Sequence, residues 1–172
     1  MSNSKTQVVK DLKEKTILVS REFNAPVANV WRCYTESDLL DKWWGPSPWH
    51  TETKTMDFKP GGQWLYAMVG PNGEKHWSFM NYLEIEKHKS FSIEDGFCDE
   101  NGVVNKAFPV SKGANVFTPT AGGTLVEFRM RYPSEADLQK IIDMGFEEGI
   151  KICIEQLDKL LLSKEFAKAE RA

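Results

Sequence analysis

The sequence predicts an α+β fold in which a curved antiparallel sheet wraps a long C-terminal helix, and three observations carry that expectation. Strand-like runs follow one another between residues 49 and 132, separated by turn residues and not by helices. Two short helical patterns come directly after the first strand. From Ser134 the apolar spacing changes to three and four and stays there for the length of a long helix.

In order along the chain, residues 1–15 are polar and weakly patterned, which predicts a flexible N-terminal segment frayed or only locally helical. The domain proper is expected over 16–163, with a charged tail at 164–172. Ile17, Val19 and Phe23 share one face of a strand over Thr16–Phe23. Pro26 suits a first helical turn, and Val27, Val30, Trp31 and Tyr34 make the apolar stripe of the helix that follows. A second helix, capped by Ser37 or Asp38, carries Leu39, Leu40 and Trp43 until Gly45-Pro46 stops it.

The strands are expected at 49–57, 64–69, 75–86, 89–97, 114–118 and 124–132, with turns at Lys59-Pro-Gly-Gly62, Gly70-Pro-Asn-Gly73, Asp99-Glu-Asn-Gly102 and Pro119-Thr-Ala-Gly-Gly123. The run 75–86 has apolar residues on both faces, so its pattern assigns no inward face, and 98–113 carries no distinct signal. Leu138, Ile141, Ile142, Gly145, Gly149, Ile152, Cys153, Gln156, Leu157, Leu160 and Leu161 then predict one continuous amphipathic helix of about thirty residues, roughly 45 Å long. Ser134 and Asp137 have the spacing of a capping box.

Composition narrows the function. At 172 residues and 41% hydrophobic, the chain can bury one sizeable core. Its 22 basic and 25 acidic residues are scattered, which argues against nucleic acid as a partner. No apolar run is long enough for membrane insertion and the N-terminus lacks the apolar core of a signal peptide, so a cytoplasmic location is expected. Cys33, Cys98 and Cys153 are far apart and odd in number, and read as reduced, small apolar residues.

Two features point to a cavity between sheet and helix. Gly145 and Gly149 lie on the apolar stripe of the helix, where either close backbone packing or cavity volume would explain them. Trp64, Tyr66 and Met68 share one strand face, and Val126, Phe128, Met130 and Tyr132 share another. Asp95 falls in phase with Phe91, Ile93 and Phe97, and Arg21 with Ile17, Val19 and Phe23, so one reading pairs the two charges inside the cavity. The other readings have them reach the rim or pair with separate neighbours.

No nucleophile elbow, phosphate loop or paired metal spacing is present, and His50, His76 and His88 are isolated. Neither metal nor cofactor is expected.

Several motifs in order resemble one family: Arg21-Glu-Phe-Asn-Ala-Pro26, Val30-Trp31, Leu39 to Trp43-Trp44-Gly45-Pro46, Met56-Asp-Phe-Lys-Pro-Gly-Gly62, Tyr82-Leu-Glu-Ile85 and Gly122-Gly-Thr124. It is the family named for the C-terminal domain of the activator of the ninety-kilodalton heat-shock protein's ATPase. Gly145, Gly149 and the leucines after Gln156 resemble its closing helix, where the family's tryptophan after the second glycine is Ile150 here. The resemblance implies the START-like (SRPBCC) helix-grip fold with an apolar cavity. The eukaryotic activator's chaperone-binding N-terminal domain has no counterpart in these 172 residues.

Three function classes follow. The first is non-catalytic binding of a small hydrophobic ligand, with Trp43, Trp44, Trp64, Tyr66, Met68, Asp95, Phe128, Met130, Gly145 and Gly149 as the candidate site. A co-chaperone-like module that regulates a heat-shock-protein ATPase would present the Trp43-Trp44-Gly45-Pro46 loop to a chaperone or other protein. A small polyketide or aromatic cyclase-like enzyme would use Arg21, Asp95, Tyr66 and His76. Of the two adjacent tryptophans, Trp43 is expected to be buried and Trp44 to stand at the cavity mouth.

Overall fold

Strand β1 (Gln7–Asp11) opens the described part of a computed structural model, which covers residues 5–163. It corrects the expectation of a segment without strand structure: Gln7 to Asp11 pair antiparallel with residues 20 to 16 of β2 (Thr16–Phe23). The pattern is faint because β1 is an exposed edge strand with only Val8 packed on the core, so no alternation is imposed on it. The expected charged tail at 164–172 lies outside the described residues.

Helices α1 (Val27–Thr35) and α2 (Ser37–Trp43) follow as expected. Their caps differ from the expectation: Pro26 is the N-cap of α1 and Glu36 that of α2, neither with a side-chain bond, so neither Ser37 nor Asp38 serves. Next come β3 (His50–Met56), β4 (Gln63–Val69), β5 (Lys75–Glu86), β6 (Ser90–Cys98), β7 (Ser111–Thr120) and β8 (Gly123–Arg131). All pair antiparallel in one eight-stranded sheet of order β1-β2-β8-β7-β6-β5-β4-β3. Register shifts between Thr53 and Thr55 and between Tyr82 and Ile85 are local irregularities of the kind that help a sheet to curve.

The ambiguity of β5 has a physical cause. Met80 and Tyr82 face the main core, while Phe79 joins Leu65 and Cys98 in a second, smaller cluster flanked by Trp77 and Val110. Both faces are apolar because both are covered.

The single long helix is overturned. Two helices stand in its place, α3 (Glu135–Asp143) and α4 (Phe146–Leu161), with Gly145 between them at φ 87°. The apolar spacing runs through the junction, but a left-handed residue ends one helix and starts the next. At 16 residues α4 spans only about 24 Å. Ser134 accepts a hydrogen bond from the Asp137 amide at 3.1 Å and caps α3 as its spacing predicts.

Candidate functional site

A cavity of about 680 Å³ lies between the inner face of the sheet and α3–α4. That volume suits a small organic ligand. Tyr66 and Met68 of β4 face it because inward residues alternate along the strand, and Phe128 and Met130 of β8 do so for the same reason. Trp44 closes one side. Gly145 and Gly149 form part of the helical wall, where a Cβ built on Gly145 would meet nothing within 4 Å and one on Gly149 only Pro46 Cγ at 3.7 Å. These glycines therefore do not mediate close packing. They leave space.

Of the ten candidate residues, Trp44, Tyr66, Met68, Asp95, Phe128, Met130, Gly145 and Gly149 line the cavity. Trp43 and Trp64 do not. Trp43 is 0% exposed and its indole donates to the Cys33 carbonyl at 2.9 Å, so it is core. Trp64 stacks on Tyr66 at 4.0 Å and donates to Thr53 Oγ1 at 3.0 Å, which turns its ring away toward β3. It borders only a separate void of about 20 Å³, too small for a ligand.

Sequence patterning missed two parts of the wall and one residue that holds the wall in place. Ser111 is the first residue of β7, where alternation is weakest, whereas Tyr132 continues the inward face expected of Phe128 and Met130. Phe108 and Pro109 belong to the segment without a distinct signal. Phe108 packs against Phe97 at 4.9 Å, and Lys140 of α3 both bonds the Ala107 carbonyl and lies 4.6 Å from the Phe108 ring centre. Gln156 of α4 is the residue that holds the wall, a bracket behind it. Its amide donates to the carbonyls of Trp43 at 3.0 Å and Gly45 at 2.8 Å and accepts from the Ser47 amide at 3.0 Å. It fixes the loop that carries Trp44.

Of the readings open for Arg21 and Asp95, the one that holds gives each its own neighbours. Arg21, 4% exposed, bonds Glu155 at 2.7 Å and reaches Asp158 at 3.5 Å, both on α4, because its strand runs under that helix. Asp95 is left to the cavity. Its carboxylate accepts a hydrogen bond from Ser111 Oγ. Burial pushes its pKa up to about 6, partly opposed by Ser111. By surface area the residue is only half-buried, since its free side faces the cavity, but it lies deep below the protein surface. Tyr66 and Tyr132, which feel the Asp95 charge, are held above the usual phenol range mainly by burial.

His76 is exposed, 5.5 Å from the Trp49 ring at the cavity rim. His50 bonds Glu52 at 2.9 Å and His88 packs edge-on against Trp31. All three cysteines are free and buried, and burial raises Cys33 and Cys153 to about 12. Among the described residues no cluster could hold a metal ion, and no helix is long and apolar enough to cross a membrane.

A curved antiparallel sheet that grips a helix across an apolar cavity defines the START-like helix-grip class of the SRPBCC superfamily. The sequence profile of the activator of Hsp90 ATPase homolog 1-like proteins matches residues 24–162. The chain belongs to that family. Among solved structures it is similar to a Mycobacterium smegmatis protein, at 37% identity and TM-score 0.85 over 92% of this chain and 97% of that one. An Arthrobacter aurescens protein matches at 32% identity and TM-score 0.85 over 90% of each chain. A Silicibacter pomeroyi protein described by the same family name shares the fold at 18% identity and TM-score 0.68, over 85% of this chain and 96% of that one. Comparison with curated proteins gives no match.

Proposed function

We propose that this protein binds a small, mainly apolar ligand in the cavity between sheet and helices without transforming it. The observation that carries the reading is the volume of about 680 Å³ with aromatic and methionine walls and glycines where the helix could have supplied bulk. Filling such a space recovers apolar contacts that the empty protein forgoes. Native mass spectrometry of protein purified without organic solvent, followed by thermal unfolding with apolar compounds, tests it. A ligand that binds only the folded form must raise the melting temperature. Purified protein with neither a co-purifying mass nor a shift from any apolar compound would end the proposal.

The family description favours a second reading, a partner of a heat-shock ATPase. Against the docking loop expected for it stand the full burial of Trp43 and the turning of Trp44 toward the cavity. Cyclase-like chemistry is less well supported, because Arg21 is held by α4 and His76 is at the rim, which leaves Asp95 without a basic partner among the described residues.

A further inference from the structure

Asp95 is a buried carboxyl whose position invites a charge. It projects from β6 into the cavity, and its side chain has one hydrogen-bond partner, the Ser111 hydroxyl, and no ion pair among the described residues. A carboxylate there has lost much of its hydration and gained one bond in return, so a ligand that brings a positive charge and further donors offsets that loss. A ligand that brings a second carboxylate adds repulsion at low dielectric.

The other titratable groups on the wall do not change this balance. Tyr66 and Tyr132 are neutral phenols, and Cys98 and Cys153 are neutral thiols, all held so by burial. Lys75 and His76 are exposed at the rim, where Lys75 is 3.8 Å from Glu52. Among the described residues the deep part of the cavity therefore carries one charge, and it is negative.

We propose that the cavity selects apolar ligands that end in a protonated amine, received by the Asp95 carboxylate, over ligands of the same shape that end in a carboxylate. This rests on the ligand-binding reading above and names the ligand class for it. Ser111 acts as a positioning residue, since its hydroxyl occupies one carboxylate oxygen and leaves the other for the ligand.

The test uses three probes of matched shape, 4-phenylbutylamine, 4-phenylbutanol and 4-phenylbutanoate, titrated against the full chain by tryptophan fluorescence, which Trp44 in the wall should report. At about pH 7.5 the amine is expected to bind about tenfold or more tighter than the carboxylate, with the alcohol between them. Asp95→Asn keeps the shape and the acceptor for Ser111, and should remove the preference for the amine while leaving the alcohol unchanged. In the unaltered protein the preference should also fade as the pH drops below about 6, where Asp95 takes up its proton while the amine stays charged. This second measurement needs no variant to fold. Saturable binding of the alcohol with equal affinity for amine and carboxylate, or an amine preference that survives in Asp95→Asn, overturns the assignment and leaves the cavity reading intact. No saturable binding of any of the three overturns both.

Discussion

At one end of the interior, Trp31 meets Phe58, Phe91 and Phe117 edge-on at 5.1–5.9 Å, and Tyr34 closes on Trp43 at 4.9 Å. At the other end, Trp44, Tyr66, Phe128 and Tyr132 surround about 680 Å³ of space. Both ends are aromatic, so residue type does not explain the difference. The packed end takes interlocking side chains from α1, from β6 and β7, and from the loop that carries Phe58. The hollow end takes glycine from the helix side and a carboxylate from the sheet side. What fills a core is the number of elements that send side chains to the same point, and here the helix side sends none at Gly145, in the break, or at Gly149, in the first turn of α4.

The sharpest way to break this comparison is at the boundary, where Trp43 and Trp44 touch at 5.3 Å. Trp43→Ala should cost about 3–5 kcal/mol in urea unfolding, because it empties a fully buried site and strips a donor from the Cys33 carbonyl. Trp44→Ala should cost much less and chiefly alter ligand uptake. Equal large losses for both would mean that Trp44 is scaffold like its neighbour.

The next effect is a gain. Asp95 is raised from an ordinary 3.8 to about 6 in the folded protein, so the folded state holds the proton more tightly than the unfolded chain does. Its presence is harmless below about pH 4, becomes destabilising as the pH rises to about 6, and costs its full amount above that. Asp95→Asn should therefore stabilise the empty protein by about 2 kcal/mol at neutral pH, the full shift being reduced by the carboxylate's contact with the cavity. Thermal melts from about pH 3.5 to 7.5 check it. Parallel curves for the two proteins across that range would refute it.

The two glycines should then separate. Gly145→Ala forces a side chain into left-handed backbone and should lose about 1–2 kcal/mol, although there is room for the methyl group. Gly149→Leu, at an ordinary helical position facing the cavity, should leave stability unchanged or raise it by up to about 1 kcal/mol while ligand uptake falls. Chemical unfolding of both variants reads this out, and a large loss at Gly149 would mean that the wall there is packed and not open.

Much of this was legible in the residues. The meander, the two short helices and the inward phase of Asp95 with Phe91 and Ile93 all follow from a side-chain period of two or 3.6, which sequence displays directly. The Ser134 cap and the apolar face of β8 follow from equally local rules. What the residues left open, and what they misassigned, share a cause. Whether Trp64 faces the cavity or turns to Thr53, whether Arg21 meets Asp95 or Glu155, and whether β5 is covered on one face or two depend on which distant element arrives opposite. The helix break belongs with them. Glycine permits φ 87° at position 145 and does not require it, so an apolar period that runs unbroken through the junction conceals the turn. The sequence by itself determined the order of elements and the faces they bury, because those are properties of neighbouring residues. Only the tertiary structure decided where the buried faces meet and where they leave a gap, because a cavity is made by side chains that come from elements far apart in the chain.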